Sequence, residues 1–120
     1  MYKIAIVDDE TEILSMINRF LSRSGKYSVT TFSNPVTAVS TIDNSYDVVL
    51  MDIMMPQMNG LDALEKIMEK NPNQKVIMMT AYSTLDKVLK SHKEGATHYL
   101  MKPFDSLSAL ESKIDEVLNS

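Results

Sequence analysis

Five short apolar runs recur along the chain, at residues 3–7, 28–32, 47–51, 75–79 and 97–101. Their lengths and their share of β-branched residues predict strands. In the third run Val48, Val49, Leu50 and Met51 are continuous rather than alternating, as in a strand covered on both faces. The intervening segments carry a different period. Ile13, Leu14, Ile17, Phe20 and Leu21 fall on one face of a helix over 12–23, stopped at Ser24-Gly25. Asn34-Pro35 reads as a helix cap followed by a first-turn proline, with Val36, Val39 and Ile42 as the buried side. Asn59-Gly60 opens a helix with Leu61, Leu64, Ile67 and Met68 on one side, and Asn71-Pro72 ends it. A helix is expected over 84–94, ended by Gly95, with Leu85, Val88 and Leu89 turned inward. The last helix, over 106–118, has Leu107, Leu110, Ile114, Val117 and Leu118 at a helical period.

This alternation is a (βα)₅ pattern. It implies an α/β fold with an open, doubly wound, mostly parallel sheet and helices on both faces. A closed barrel needs eight strands, more than this length allows. Open sheets of this kind bind ligands at the carboxyl ends of their strands. No linker interrupts the pattern, and one domain over residues 1–120 is expected, with no second domain.

Composition narrows the function classes. An apolar fraction of 44% suffices for one core, and the chain has no cysteine. Disulfide and thiolate chemistry are therefore excluded, and His92 and His98 alone cannot make a metal site. The net charge of -4 argues against a broad nucleic-acid surface. No run reaches the length of a membrane span, and the acidic start lacks a signal peptide's apolar centre. A cytoplasmic protein without membrane insertion is expected.

The candidate chemistry sits where the strands end. Asp8 and Asp9 follow the first run, Asp52 the third, Thr80 and Ala81 the fourth, and Lys102 the fifth. Singly, each has an ordinary reading: a helix cap for Asp8-Asp9, a turn for Asp52, a surface lysine for Lys102. Together, at one sheet edge, they form a site. Three neighbouring carboxylates repel unless a cation joins them. Mg²⁺ suits such oxygen ligands and keeps sites for water and phosphate. A carboxylate can accept a phosphoryl group as an aspartyl phosphate. Its oxygens then need neutralisation, from the metal, from Lys102 and from the Thr80 hydroxyl or the Ala81 N–H. Asp52 lies at the centre and is the expected acceptor, with Asp9, helped by Asp8, holding the metal. Asp47 and Asp62 read as a strand-start cap and as first-turn helix charge.

The stretches IVDDE (6–10), YDVVLMDIMMPQMNG (46–60), VIMMTAY (76–82) and GATHYLMKPF (95–104) resemble a response-regulator receiver domain of two-component signalling. The layout is similar to single-domain members of the chemotaxis and phosphorelay types. The resemblance implies the flavodoxin-like, CheY-like three-layer fold with strand order 2-1-3-4-5. It further implies phosphorylation of Asp52 by a sensor histidine kinase or a histidine phosphotransfer protein. Mg²⁺ would lie on Asp9, Asp8, Asp52 and the Met54 backbone carbonyl. Lys102 would pair with a phosphoryl oxygen, and Thr80 with Tyr99 would form a switch acting on a downstream effector. That effector would dock on the face made by the helix at 84–94, the fifth strand and the last helix. Pro56 and Gly60 are expected to shape the loop after Asp52, and Lys102-Pro103 to be cis. Gly60 serves either close backbone approach or an unusual dihedral. A monomer or a weak phosphorylation-promoted dimer is implied.

Met54 and Tyr82 are bulky at variable positions near the site, and are expected to hinder an attacking water and lengthen the phosphoryl lifetime. Met51, Met78, Met79 and Met101 read as core, whereas Met54, Met55 and Met58 are candidates for an exposed docking surface. His92 and His98 read as ordinary structural residues, the alternative for His92 being a pH-sensitive face. Three other functions compete. A phosphatase or phosphotransferase with an Asp nucleophile needs an acid-base Asp two residues on, where Met54 stands. An interaction domain that has lost phosphorylation does not explain the intact acidic set. A flavin module lacks its phosphate loop after the first strand. A receiver segment of a longer transcriptional regulator remains an alternative to a stand-alone protein.

Overall fold

The computed structural model describes residues 1–81, 98–102 and 106–119, with the backbone alone at Thr80, Ala81, Met101 and Lys102. The elements are β1 (Tyr2–Val7), α1 (Thr11–Ser22), β2 (Tyr27–Phe32), α2 (Pro35–Thr41), β3 (Val48–Asp52), α3 (Gly60–Lys70), β4 (Val76–Ala81), β5 (His98–Lys102) and α4 (Leu107–Leu118). All strand pairings are parallel, and the order across the sheet is β2-β1-β3-β4-β5. The expected helix at 84–94 lies outside the described residues.

Strand pleating divides the core in two. Ile4, Ile6, Val48, Leu50, Ile77 and Met79 face one side, where Leu14, Ile17 and Leu21 of α1 and Leu110, Ile114 and Val117 of α4 cover them. Ala5, Val7, Val49, Met51 and Met78 face the other, under Ala38 of α2 and Leu61, Leu64 and Ile67 of α3. The three-layer α/β arrangement and its strand order match the sequence expectation. Met51, Met78 and Met79 are core residues, as expected.

Side-chain caps fix where the helices begin. Asn34 Oδ1 accepts from the Val36 N–H at 2.8 Å, with Pro35 in the first turn. Asn59 Oδ1 accepts from the Leu61 N–H at 2.8 Å. Ser106 Oγ accepts from the Ala109 N–H at 3.0 Å. Gly25, just past α1, has φ 72°, a conformation that favours glycine.

Several local expectations are corrected. Of the buried side expected for α2, Ile42 at its end is buried in the core and Val39 is half-buried against it, as expected, but Val36 points to solvent, and Pro35 and Ala38 are the buried residues within the helix. A seven-residue helix has only about two turns, so its buried face holds few positions. Ala63 joins Leu61, Leu64 and Ile67 in the core, and Met68 is only half-buried. Asp47 does cap a strand start, as expected, and the strand is β1: its Oδ2 accepts the Lys3 N–H at 2.7 Å. β4 runs on through Thr80 and Ala81, which therefore lie within the strand rather than after it.

Two long-range ties close the layers. Tyr27, at the start of β2, donates from its hydroxyl to Asp115 at 2.6 Å and lies 3.2 Å from Glu111 Oε2, both on α4. Lys26 Nζ sits 3.5 Å from Glu111 and 3.8 Å from Asp115. On the opposite face Lys70 Nζ donates to the carbonyls of Val39 and Ile42, at 2.7 and 3.0 Å, satisfying the end of α2 from α3. Among the described residues no helix is long and apolar enough to cross a membrane.

Candidate functional site

The register of the sheet assembles the site. Val7 is level with Met51, so Asp8, just past the end of β1, and Asp52, the last residue of β3, stand side by side one residue further on. Both continue the side-chain series of the face covered by α1 and α4: Ile4, Ile6, then Asp8; Val48, Leu50, then Asp52. Both are withdrawn from solvent, Asp8 at 0% and Asp52 at 5% exposure. Buried carboxylates are costly unless paired or metal-bound, which makes this pair a candidate site rather than ordinary surface acids.

Backbone bonds continue the ladder past both carboxylates. The Asp8 N–H donates to the Phe32 carbonyl at 3.1 Å, and the Ile53 N–H donates to the Met79 carbonyl at 3.2 Å. Asp8 Oδ1 accepts the Glu10 N–H at 2.9 Å, which fixes the orientation of that carboxylate. Asp9 is half-buried beside it, and Glu10 is exposed at the N-cap position of α1, where its side chain does not cap the helix. Carboxylate oxygens of Asp8, Asp9 and Glu10 lie within 4.8 Å of one another. This all-oxygen donor set fits a hard divalent cation such as Mg²⁺. Glu10 was not among the expected residues; the third acid in the run DDE was its signal.

Gly60 holds the next loop against the end of β3. Its N–H donates to the Ile53 carbonyl at 2.8 Å. A Cβ at this position would overlap the Asp52 carbonyl oxygen, and would lie 2.7 Å from Ile53 Cα and 2.9 Å from the Asp52 carbonyl carbon. Its φ is not positive, so of the two expected reasons for glycine, close approach is the one that applies. The loop from 53 to 59 thus starts and ends on the backbone of Asp52 and Ile53. Within it Met54 is 53% exposed, Met58 is half-buried and Pro56 is exposed. Met55 is buried in the core cluster with Met51 and Leu61, so it does not belong to a docking surface.

The far strands end at the same edge. Asp52 is level with Met79, placing Thr80 one residue beyond, and Thr80 and Ala81 are level with Met101 and Lys102. The backbone therefore brings Asp8, Asp52, Thr80 and Lys102 to the carboxyl end of four adjacent strands; the side chains of Thr80 and Lys102 lie outside the described set. Tyr99 on β5 is half-buried against the core cluster that contains Met51 and Met55. His98 is half-buried. Tyr82, His92, Pro103 and the expected cis Lys102-Pro103 bond lie outside the described residues.

Two groups away from this edge have shifted acidities. Burial, then the hydrogen bond to Asp115 and the negative charges of Asp115 and Glu111, push the Tyr27 hydroxyl well above its ordinary value of 10.0. The hydroxyl and the backbone N–H of Ser45 hold the exposed Asp43 carboxyl below the usual range.

Residues 4–115 match the family model described as the response regulator receiver domain. The DNA-binding transcriptional regulator NtrC of Escherichia coli is 40% identical over 101 residues, which are 83% of this chain and 21% of that protein. The chain thus spans about a fifth of that relative's length. The chemotaxis protein CheY of Listeria monocytogenes is 38% identical over 113 residues, covering 93% of this chain and 95% of that one. A CheY-like receiver domain structure from Methanospirillum hungatei superposes with a TM-score of 0.92 at 34% identity, over 99% of this chain and 94% of the other.

Proposed function

The chain belongs to the response-regulator receiver family, whose members act as phosphoacceptors rather than as classical enzymes, and from that premise we propose that Asp52 is the phosphorylated residue of a Mg²⁺-dependent signalling switch. The observation that supports this reading is the pair of buried carboxylates, Asp8 and Asp52, at level positions at the carboxyl ends of the adjacent strands β1 and β3.

In the proposed reaction a carboxylate oxygen of Asp52 forms a bond to phosphorus. The bond from phosphorus to the donor breaks, and the donor leaves as the imidazole of a kinase or phosphotransfer histidine, or as acetate from acetyl phosphate. Asp9 would hold the metal, with Asp8 assisting through the metal or its water, and Asp52 and the Met54 carbonyl would complete the protein's share. Bound Mg²⁺ supplies positive charge for the equatorial oxygens of the transferring group. Lys102 and Thr80 serve the remaining oxygens from the ends of β5 and β4. Phosphorylation adds about one to two negative charges, drawing Thr80 inward and letting the Tyr99 ring follow. A bias of a few kcal/mol suffices to shift such a two-state face.

The partners proposed are a histidine kinase or phosphotransfer protein upstream and an effector protein downstream. A second reading, that the receiver controls a DNA-binding module in the same polypeptide, is favoured by the identity to NtrC. For the phosphoacceptor itself the test is direct. Acetyl phosphate with Mg²⁺ should add about 80 Da to the intact protein, and Asp52→Ala should abolish the gain. No gain, or a gain that survives the substitution, refutes the reading.

A further inference from the structure

Met54 lies two residues after Asp52 and, among the described residues, is the large apolar side chain most exposed at this edge, at 53%. Its neighbour Ile53 is fully buried, with its N–H on the Met79 carbonyl and its carbonyl accepting from the Gly60 N–H. Residue 54 therefore cannot be carried away from the acceptor without breaking the sheet edge or the start of α3. The other described methionines differ. Met51, Met78 and Met79 are fully buried, Met55 is 8% exposed, and Met58 and Met68 are half-buried. Met1 and Met16 are exposed, but at the opposite end of β1 and on the second turn of α1. Among the described residues, Met54 combines ready access from solvent with proximity to the acceptor.

We propose that Met54 is a modification site, a thioether whose oxidation by hydroperoxides shortens the lifetime of the phosphoryl group on Asp52. The inference rests on the phosphoacceptor reading above. In the oxidation a sulfur lone pair attacks one peroxide oxygen, the S–O bond forms as the O–O bond breaks, and proton transfer releases water. Sulfide and hydrogen peroxide thus become sulfoxide and water, and methionine sulfoxide reductases reverse the change. The thioether is apolar and disfavours water beside the aspartyl phosphate. The sulfoxide oxygen is a hydrogen-bond acceptor that can hold and orient a water for in-line attack.

Peroxide treatment followed by peptide mapping and phosphoryl-decay measurement tests this. Met54 is expected to oxidise faster than Met55 and Met58. Decay of the phosphorylated protein should accelerate by about threefold or more, a modest change in barrier. Met54→Leu, compared with and without peroxide, should show no acceleration. Oxidation of Met54 no faster than that of Met55 overturns the proposal. So does unchanged decay with Met54 fully oxidised, or an equal peroxide response in the leucine variant. Failure of the untreated protein to gain a phosphoryl group would instead overturn the assignment of Asp52 on which the proposal rests.

Discussion

Gly60→Ala tests the close contact on which the geometry of the acceptor loop depends. The added methyl would collide with three backbone atoms, the Asp52 carbonyl oxygen and carbon and Ile53 Cα. No side-chain rotation relieves backbone overlap, so the start of α3 must retreat. Bringing the 2.7 Å approach to Ile53 Cα out to an ordinary carbon contact of about 3.5 Å already requires a shift of about 0.8 Å, and the closer Asp52 carbonyl oxygen demands more. That shift stretches the 2.8 Å bond from the Gly60 N–H to the Ile53 carbonyl beyond useful length. Losing the bond costs about 1 kcal/mol, and overpacking adds about 1–3 kcal/mol. The better helix propensity of alanine returns about 0.5–1 kcal/mol. The net loss is about 1–3.5 kcal/mol, a large part of the stability of a domain this size. Urea unfolding reads it as a midpoint lowered by about 1–2 M. Gly25→Ala is the control: no atom crowds a Cβ there, but φ is 72°, so conformational strain alone costs about 1 kcal/mol. If Gly60→Ala unfolds within about 0.3 M of the parent, the close approach does not constrain the loop.

Tyr27→Phe removes the hydroxyl shared with Asp115 and Glu111 and should cost about 1–3 kcal/mol at neutral pH. Because folding raises the pKa of the Tyr27 hydroxyl, making it a weaker acid, its contribution is fully present below its ordinary value of 10.0 and fades as pH rises above it. Unfolding free energies measured from pH 7 upward should therefore fall more steeply in the parent than in the variant; parallel curves would contradict this. Met54→Asn should shorten the phosphoryl lifetime, because a polar side chain of that size admits and orients water where the exposed thioether does not; equal or faster decay in the parent would refute it. Asp8→Asn should weaken Mg²⁺ binding by about tenfold or more, as loss of a supporting carboxylate does; calorimetry showing unchanged affinity would remove Asp8 from the metal site.

The chain's own pattern determined the element order, the covered central strand and the polar residues at the strand ends. These follow from local periodicity and from the rule that parallel sheets carry their sites at one edge. The caps at Asn34 and Asn59 were equally legible, because a cap is a contact between residues two positions apart. What the pattern could not supply were facts about distant partners. That Asp8 and Asp52 stand level depends on strand register, which no single segment encodes. That Met55 turns into the core while Met54 faces solvent depends on how one loop is clamped at both ends. The Tyr27 bond to Asp115 joins residues 88 positions apart, and the Lys70 bond to the Val39 carbonyl joins residues 31 apart. Such contacts arise only when helices settle on the sheet, since burial and hydrogen bonding depend on the neighbours that three-dimensional packing provides.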